Sequence, residues 1–458
     1  MPQLNRFWFS VLAVLACSLL TLPALADSQA RIVRLSQVDG AVQVDRNTGH
    51  GFEKAFLNLP ITEGTKVKTG DEGRAEIEFE DGSTLRVTPD TVVEFPELSL
   101  RDSGARVSTV NVVQGMAYVN FTATKSDEFT LHFGREKLGL NKASHLRIEV
   151  GDTDATVAMF SGEAQVEGPS GTVEIGKKQS ATFDFANKDQ YTLAKNVEED
   201  PFDQWDKEQD KYHQRYSASN SYSPYAYGAS DLSYYGNFFD VPGYGRCWQP
   251  YFIGAGWDPF MNGAWYWYPG FGYTWVSGYP WGWMPYRYGS WAFVPAYGWV
   301  WQPGTTWAAW RSIPTVVNAP QRFAPPRPPA SPGQTVAVNR GPAPGVPGRL
   351  SNRMMIRNDS AGLGIPRGAV RDLGKVSQKV EQKGFVTQSL RTTPMQPRMS
   401  AARPEGGWSR PSGAAQHGAS TRTSAPTRSA PAMRSAPPVH SAPPSAPRSA
   451  PAPPTPHR

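Results

Sequence analysis

Alternating apolar and polar positions recur along the first half of the chain and predict short β-strands. Residues 75–80 read Ala-Glu-Ile-Glu-Phe-Glu, which places three apolar side chains on one face of a strand and three glutamates on the other. Asp81-Gly82 follows, a pair typical of hairpin turns, and the alternation resumes at Leu85 and Val87. The glutamate face is interpreted as ordinary solvent-exposed surface.

The same pattern repeats through residues 30–195 at near-regular spacing. Many short strands separated by turn residues indicate an all-β sandwich or roll. The other predicted strands are 41–44, 92–95, 107–113, 117–121, 146–150, 155–160, 164–167 and 181–185.

Several motifs in this region, hereafter the β domain, occur in a fixed order. They lie at residues 40–44, 64–70, 75–85, 113–119 and 160–166. Together they resemble the FecR family, although Thr65 stands where that family usually has Asp. The resemblance implies an exported β scaffold that binds another protein. The founding FecR-type proteins relay an iron-siderophore signal through a membrane helix to a sigma factor. No internal membrane helix is evident in this sequence, so we do not carry over the iron-signalling role.

A glycine- and tryptophan-rich stretch at about residues 232–311, hereafter the aromatic module, is internally repetitive. Three units begin at Gly236, Gly263 and Gly289, spaced 27 and then 26 residues apart. Nine residues after each opening glycine stands another glycine, followed three residues later by a tryptophan. Such regularity indicates an array of one supersecondary unit. Tryptophan and tyrosine favour strands, so each unit is predicted to form a two- or three-stranded meander stacked on its neighbours.

The aromatic module resembles a Trp/Tyr/Gly-rich domain of unknown function that often follows FecR-type domains in bacterial proteins. Residues 198–216 match its charged, helical lead-in, and residues 307–311 match its closing segment. The occurrence of both domains in this order strengthens each resemblance.

Two interpretations of the aromatic rings stay open. Exposed rings would stack on sugar rings or on prolines of a peptide, with Arg287 or Arg311 adding a charged contact. Alternatively, the rings pack on one another, because a small module with few aliphatic residues needs them for its core. The candidate ligand-binding residues are Trp257, Trp265, Trp275, Trp283, Trp291, Trp301 and Arg287.

Residues 312–458 are rich in Pro, Ala, Ser and Arg and carry 20 Lys/Arg against 4 Asp/Glu, whereas residues 1–311 carry 26 against 36. Such a composition predicts a long disordered tail. Residues 368–390 differ, because their apolar side chains recur at helical spacing and predict a short helix. The basic tail is expected to contact anionic envelope surfaces and not nucleic acid, or to act only as a solubilising linker.

The N-terminal segment carries an export signal. Arg6 precedes an apolar run at residues 7–25, and Ala24-Leu25-Ala26 forms a small-x-small cleavage site. Residues 1–26 are therefore predicted to be a signal peptide. A retained anchor remains the alternative, because the length of the run is near the lower limit for crossing a bilayer. The mature chain is expected to have no transmembrane helix and to reside in the periplasm or outside the cell.

Catalytic and metal-binding motifs are not evident: the sequence has no Gly-x-Ser-x-Gly, His-Glu-x-x-His, Walker loop or Cys-x-x-Cys. His132 and His145 lie in the β domain without obvious carboxylate partners, so surface or strand-edge positions are predicted. We therefore predict a non-enzymatic envelope scaffold, with no cofactor or metal, whose partner is an envelope protein or a glycan. The alternatives are a glycan- or peptidoglycan-binding protein and a sensor component of a regulatory system.

Overall fold

The structure is a computed structural model that describes residues 31–122, 127–217, 225–307, 310, 313–341 and 353–391. Strands predominate over helices within these residues, which confirms the predicted all-β class. The predicted signal peptide, Arg311 and residues 392–458 of the predicted tail lie outside the described residues. No helix in the described part of the chain is both long enough and apolar enough to cross a membrane.

The described residues of the β domain form seventeen strands. They are β1 Val33–Asp39, β2 Val42–Asp45, β3 Glu53–Lys54, β4 Pro60–Ile61, β5 Lys66–Thr69, β6 Arg74–Glu78, β7 Thr84–Val87, β8 Val92–Leu100, β9 Arg106–Phe121, β10 Glu128–Phe133, β11 Glu136–Leu140, β12 Ser144–Val150, β13 Asp154–Ser161, β14 Ala164–Gly168, β15 Gly171–Ile175, β16 Ser180–Asp184 and β17 Gln190–Ala194.

These strands form two sheets that share the long strand β9. One sheet has the order β4-β1-β6-β7-β9-β12-β13-β16-β17, and the other has the order β3-β2-β5-β8-β9-β10-β11-β14-β15. All pairings are antiparallel except β9 with β10. The apolar side chains of both sheets, including Ala75, Ile77 and Phe79, are buried in one common core.

Strand β9 changes sheets at Gly115. Its first part pairs with β8 and β10, and its second part, from Gly115 onwards, pairs with β12. Gly115 has φ +87°, and a Cβ atom there would lie 2.5 Å from Oγ1 of Thr91. Glycine is therefore required where the strand crosses between sheets.

Within the described part of the chain, three helices and ten further strands follow the β domain. The helices are α1 Asp203–Tyr216, α2 Ala229–Tyr235 and α3 Leu373–Lys383; the strands are β18 Gly236–Val241, β19 Gly245–Pro250, β20 Asn262–Tyr268, β21 Gly272–Ser277, β22 Tyr288–Val294, β23 Gly298–Trp307, β24 Thr315–Val317, β25 Val336–Asn339, β26 Arg353–Arg357 and β27 Phe385–Ser389. Two short 3₁₀ turns cover Phe185–Asn187 and Met284–Tyr286.

The three sequence repeats form three β-hairpins. Strands β18 and β19, β20 and β21, and β22 and β23 pair antiparallel, and the second glycine of each unit begins the return strand. These glycines, Gly245, Gly272 and Gly298, have φ of +72°, +81° and +76°. The first and third hairpins join one sheet through β19 and β23, whereas the second pairs with β25.

The middle hairpin packs against the β domain. The Tyr266 ring lies 5.8 Å from that of Phe56, and the hydroxyl of Tyr268 donates to the carbonyl of Pro60 at 2.7 Å. Arg46 lies over both tyrosine rings, at 5.0 and 5.1 Å. The described residues of the β domain and the aromatic module accordingly belong to one compact unit.

Part of the predicted tail is folded onto the aromatic module. Strand β24 pairs with β22, β25 pairs with β20, and β26 pairs with β27. Helix α3 confirms the short helix predicted from the spacing of apolar residues. Asp372 caps its first turn, and Leu373, Val376 and Val380 are buried in the module's core. The structure therefore differs from the boundary predicted at residue 312. Residues of β24 and β25, beyond 312, form strands because they pair with strands of the aromatic module, and their composition does not indicate such pairing.

Cys247 is a buried free thiol in the interior of the aromatic module. It packs among Val241, Ala292 and Val300, and burial raises the pKa of its thiol, with a smaller contribution from Asp240. We expect native protein to react with a maleimide at least about tenfold more slowly than denatured protein, because the thiolate is the reactive form. Mass spectrometry of timed reactions measures both rates, and equal rates would contradict the buried position.

Candidate functional site

The six tryptophans predicted to be a ligand platform lie in the interior of the module. Trp257, Trp265, Trp275, Trp283, Trp291 and Trp301 are each at most 2% exposed. Stacking on a sugar or a peptide requires a ring face that is open to solvent, and these rings have none. The structure therefore favours the other interpretation, in which the rings form the core of the module.

Sequence reasoning missed the central ring of this core, Trp281. Its ring is fully buried and lies 4.9 Å from Trp248, 5.0 Å from Tyr279 and 5.9 Å from Trp291. Its indole nitrogen donates to the carbonyl of Ala361 at 2.7 Å, which ties the later segment of the chain to the module. Trp281 lies between the second and third hairpins, outside the glycine and tryptophan positions that recur in the repeat, so the repeat pattern did not identify it.

Arg287, the predicted charged ligand contact, is also buried. Its Nη1 donates to Oγ1 of Thr274 at 2.8 Å, and its guanidinium lies 4.7 Å from the centre of the Trp283 ring. Burial lowers the pKa of Arg287 to about 10, although Tyr268 and Tyr227 oppose the shift. This arginine is thus part of the core and not of a solvent-facing site.

The three glutamates of the sequence 75–80 are buried, which corrects their interpretation as solvent-exposed surface. Glu76, Glu78 and Glu80 are 0%, 2% and 5% exposed. Helices α1 and α2 and the module cover the face of β6 that a free sheet would expose. The strand alternation was correct, but the polar face is the junction between the β domain and the rest of the chain.

A polar row crosses this face of the sheet. In the strand register, Glu76 pairs with Arg86, Arg86 with Tyr118, and Tyr118 with Arg147. Helix α1 lies on this row, because its Asp203 accepts hydrogen bonds from Tyr118 at 2.8 Å and from Arg147 at 2.7 Å. The sequence did contain a signal that these glutamates form ion pairs, because arginines occupy the matching positions of neighbouring strands.

Glu76 is the centre of a buried charge network. Its carboxylate accepts from Nε of Arg86 at 2.8 Å, from Nη1 of Arg367 at 2.7 Å, from Nε2 of His213 at 3.0 Å and from Oγ of Ser36 at 2.7 Å. Burial by itself would raise the pKa of Glu76. His213, Arg367 and Arg86 outweigh that effect and hold the pKa well below its ordinary value.

Asp231 of α2 forms the second centre of the network. Arg367 donates to it at 2.7 and 2.9 Å, Arg34 lies 2.7 Å away, and the hydroxyl of Tyr212 donates at 2.8 Å. Burial opposes ionisation, but Arg367 and Arg34 lower the pKa of Asp231. Arg34 also pairs with Glu78 at 3.1 Å, where burial prevails and the pKa of the glutamate is raised.

His145 has the carboxylate partners that the sequence did not show. Its Nε2 lies 2.8 Å from Asp206 of α1, and its Nδ1 lies 3.8 Å from Asp210. Burial acts to raise the pKa of Asp206, but His145 and Arg86 together lower it. The surface position predicted for His145 is therefore wrong, because α1 docks on that part of the sheet.

His145, Asp206 and Asp210 also offer ligand atoms within 4.8 Å of one another, close enough for a metal ion. They line an open cavity of about 240 Å³. However, Arg86 already lies 2.6 Å from Asp206 and 2.7 Å from Asp210. Both carboxylates are therefore already paired with a buried guanidinium, and the group is better suited to holding α1 against the sheet.

Comparisons with known proteins agree with both resemblances. Residues 65–165 match the family described as FecR protein, in agreement with the resemblance found in the β domain. Residues 229–319 match a family of unknown function, DUF6600. The order of the two domains is the order predicted from the sequence.

Among solved structures, a candidate anti-sigma factor from Parabacteroides distasonis is similar to part of the chain. Its structures at 1.65 and 2.50 Å resolution share 13% identity with this chain, covering 29% of this chain and 59% of theirs, with a TM-score of 0.25. The chain thus spans somewhat more than half the length of that protein. No curated protein matches the chain.

Acidification is expected to weaken the junction. The folded-state pKa values of Glu76, Asp206 and Asp231 are lowered, so each stabilises the fold above its unfolded pKa and loses this effect as the pH falls through its folded pKa. Glu78, whose pKa is raised, acts in the opposite sense. We expect the free energy of unfolding to fall between neutral pH and about pH 3.

Denaturant titrations at a series of pH values measure this dependence. A comparison of wild type with Glu76→Gln isolates the effect of this one carboxylate. On acidification, the free energy of unfolding of the variant should fall less than that of wild type. Parallel pH profiles for the two proteins would contradict the role assigned to the Glu76 carboxylate.

Proposed function

We propose that this chain is an exported, non-catalytic protein of the bacterial envelope whose β domain and aromatic module together bind another protein. The observation that carries the proposal is the buried charge network around Glu76 and Asp231. It joins strands of the β domain to α1, to α2 and to Arg367. A surface fixed in this way suits recognition, because less conformational freedom is lost on binding.

Two further observations support binding over catalysis. Residues 65–165 match the FecR protein family. The carboxylates of the junction are held by cations, as shown by the contacts of Glu76, Asp206 and Asp231. Such pairing suits the fastening of elements to one another, whereas a general acid or base needs a group free to exchange its proton with a substrate.

The six module tryptophans are buried, which argues against the glycan-binding alternative. A sensor component of a regulatory system is the second candidate function, and the FecR match is the observation that favours it. It would require a separate membrane partner to pass the signal onward.

The proposed location rests on the N-terminal sequence, where Ala24 and Ala26 form the cleavage site. Residues 392–458 carry eight arginines and one acidic residue. We propose that this basic segment contacts anionic envelope surfaces, an attraction that added salt would weaken.

Cross-linking in intact cells tests the proposal. Tagged full chain is produced in its own bacterium, the cells are fractionated, and cross-linked products are identified by mass spectrometry. We expect the processed chain outside the cytoplasm, linked to a specific envelope protein. The control Ala26→Phe, which blocks cleavage, should remain in the membrane fraction. A cytoplasmic chain, or cross-links to glycan or lipid alone, would overturn the proposal.

Transcript profiling separates the two candidate functions. Deletion of the gene should change a small set of transcripts, reversed by the wild-type chain, if the protein is a sensor component. A defect in the envelope with unchanged transcription would instead support the scaffold.

A further inference from the structure

Two carboxylates, those of Glu136 and Asp189, are fully buried where three turns of the β domain meet. Glu136 begins β11 after a tight turn, and Asp189 immediately precedes the edge strand β17. The third turn joins β14 to β15 through Gly168. A Cβ atom at Gly168 would lie 1.6 Å from Oε2 of Glu136, so the carboxylate rests directly on this turn.

Other contacts hold the three turns together. The hydroxyl of Ser170 donates to the carbonyl oxygen of Asp189 at 2.7 Å. A Cβ atom at Gly134 would lie 2.8 Å from the ring of Phe185, which precedes Asp189 by four residues. The buried carboxylates therefore lie in an assembled part of the fold and not on a loose loop.

Neither oxygen of the Glu136 carboxylate has a hydrogen-bond partner among the described residues, and the same holds for the two carboxylate oxygens of Asp189. Asp189 has an ionic neighbour in Arg135, whose Nη2 lies 2.5 Å away on a largely exposed side chain. One cation thus faces two buried carboxylates. A buried carboxylate without hydrogen bonds is costly, so a proton or a cation must compensate for it.

Burial raises the pKa of Glu136 to about 7, and the neighbouring Asp189 adds to the shift while Arg135 opposes it. The other charged or titratable groups on the same hairpin are Glu128, His132 and Lys137, and Lys137 follows Glu136 directly.

We propose that Glu136 and Asp189 bind a calcium ion at this end of the β domain. Calcium prefers oxygen ligands and accepts carboxylates in either one-oxygen or two-oxygen geometry, whereas magnesium demands a strict octahedron. Turn carbonyls are natural additional ligands at such a site. With only two carboxylates, we expect a Kd of about 10⁻⁴ to 10⁻³ M, the range of extracellular modules.

The ion would also fasten the edge of the first sheet. Among the described strands, β17 pairs with β16 alone, and Asp189 stands at its start. Tyr191 and Leu193 of β17 are 38% and 47% exposed, so this edge has little packing of its own. Calcium that links Asp189 to Glu136 would stabilise β17 against detachment.

Calorimetric titration and thermal unfolding of the full chain test the site. The proteins are wild type, Glu136→Gln and Asp189→Asn, freed of metal with a chelator and studied at neutral pH with CaCl₂ or MgCl₂. We expect one calcium per wild-type chain and a rise in Tm with millimolar calcium that exceeds the rise with magnesium. Both variants should lose the binding and the rise.

Two controls keep the result interpretable. Glu128→Gln removes an exposed carboxylate of the neighbouring strand β10 and should respond to calcium as wild type does. Glu136→Gln is isosteric and removes a buried charge, so its Tm in chelator should equal or exceed that of wild type.

Two outcomes would overturn the proposal. An equal calcium response in wild type and Glu136→Gln would place the binding elsewhere. In the other outcome, the wild-type Tm does not respond to calcium but varies between about pH 5 and about pH 8, and Glu136→Gln abolishes this pH dependence. That result would show that the pair holds only a proton.

Discussion

Replacement of Glu76 by glutamine is expected to lower the free energy of unfolding by about 3–5 kcal/mol, the usual cost of removing one partner from a buried ion pair. Glu76 is completely buried and faces Arg86, Arg367 and His213. Glutamine has nearly the same shape, so it creates no cavity. It carries no charge, however, and its amide group would point donors at groups that are themselves donors.

Chemical denaturation of the full chain, followed by circular dichroism, measures this effect. The matched control is Glu128→Gln, because Glu128 also pairs with an arginine, Arg101 at 2.6 Å, but both side chains are about half exposed. We expect the control to unfold almost as wild type does, since exposed pairs contribute little. Equal losses in the two variants would show that the network around Glu76 does not stabilise the fold.

The β domain could be predicted largely from local pattern. Residues 75–80 illustrate why: Ala75, Ile77 and Phe79 alternate with polar residues, and all three are buried in the core. Side-chain alternation in a strand is fixed by backbone geometry, so it can be read from a few neighbouring residues. The two turns around such a strand are marked by residues that tolerate positive φ, such as Gly82 at +86°.

The same alternation could not reveal what covers the opposite face. Glu76 is buried because α1 and α2 lie over β6 and because Arg367, 291 residues away, reaches its carboxylate. That contact depends on the tertiary arrangement of a segment whose composition predicts disorder. The cross-strand match of Glu76 with Arg86 was readable in principle, since both residues occupy the polar face of adjacent strands.

The aromatic module shows a similar limit. Glycine spacing predicts the three hairpins because positive φ at Gly245, Gly272 and Gly298 is a local requirement. Whether a tryptophan faces solvent or a neighbouring hairpin depends on how the hairpins assemble. Strand β25, which covers the edge of the middle hairpin, comes from residues 336–339, beyond the repeat.

Trp281 is the position where loss of an aromatic ring should matter most in the module. We expect Trp281→Ala to lower the free energy of unfolding by about 3–5 kcal/mol, as is usual for truncation of a buried tryptophan. The ring stacks on Tyr279 with an interplanar angle of 5° and packs beside Trp248 and Trp291. The change also leaves the carbonyl of Ala361 without its indole donor.

Two companion variants separate the contributions. Trp281→Phe keeps an aromatic ring but loses the indole N–H, so an intermediate loss of stability is expected. Tyr297→Ala removes a ring that is 39% exposed near the tip of the third hairpin, and it should change stability much less. Denaturant unfolding followed by near-ultraviolet circular dichroism ranks the three. If Trp281→Ala proved no more destabilising than Tyr297→Ala, the rings would not form a cooperative core. The stability data would then no longer support the argument, made from burial, against a ligand platform.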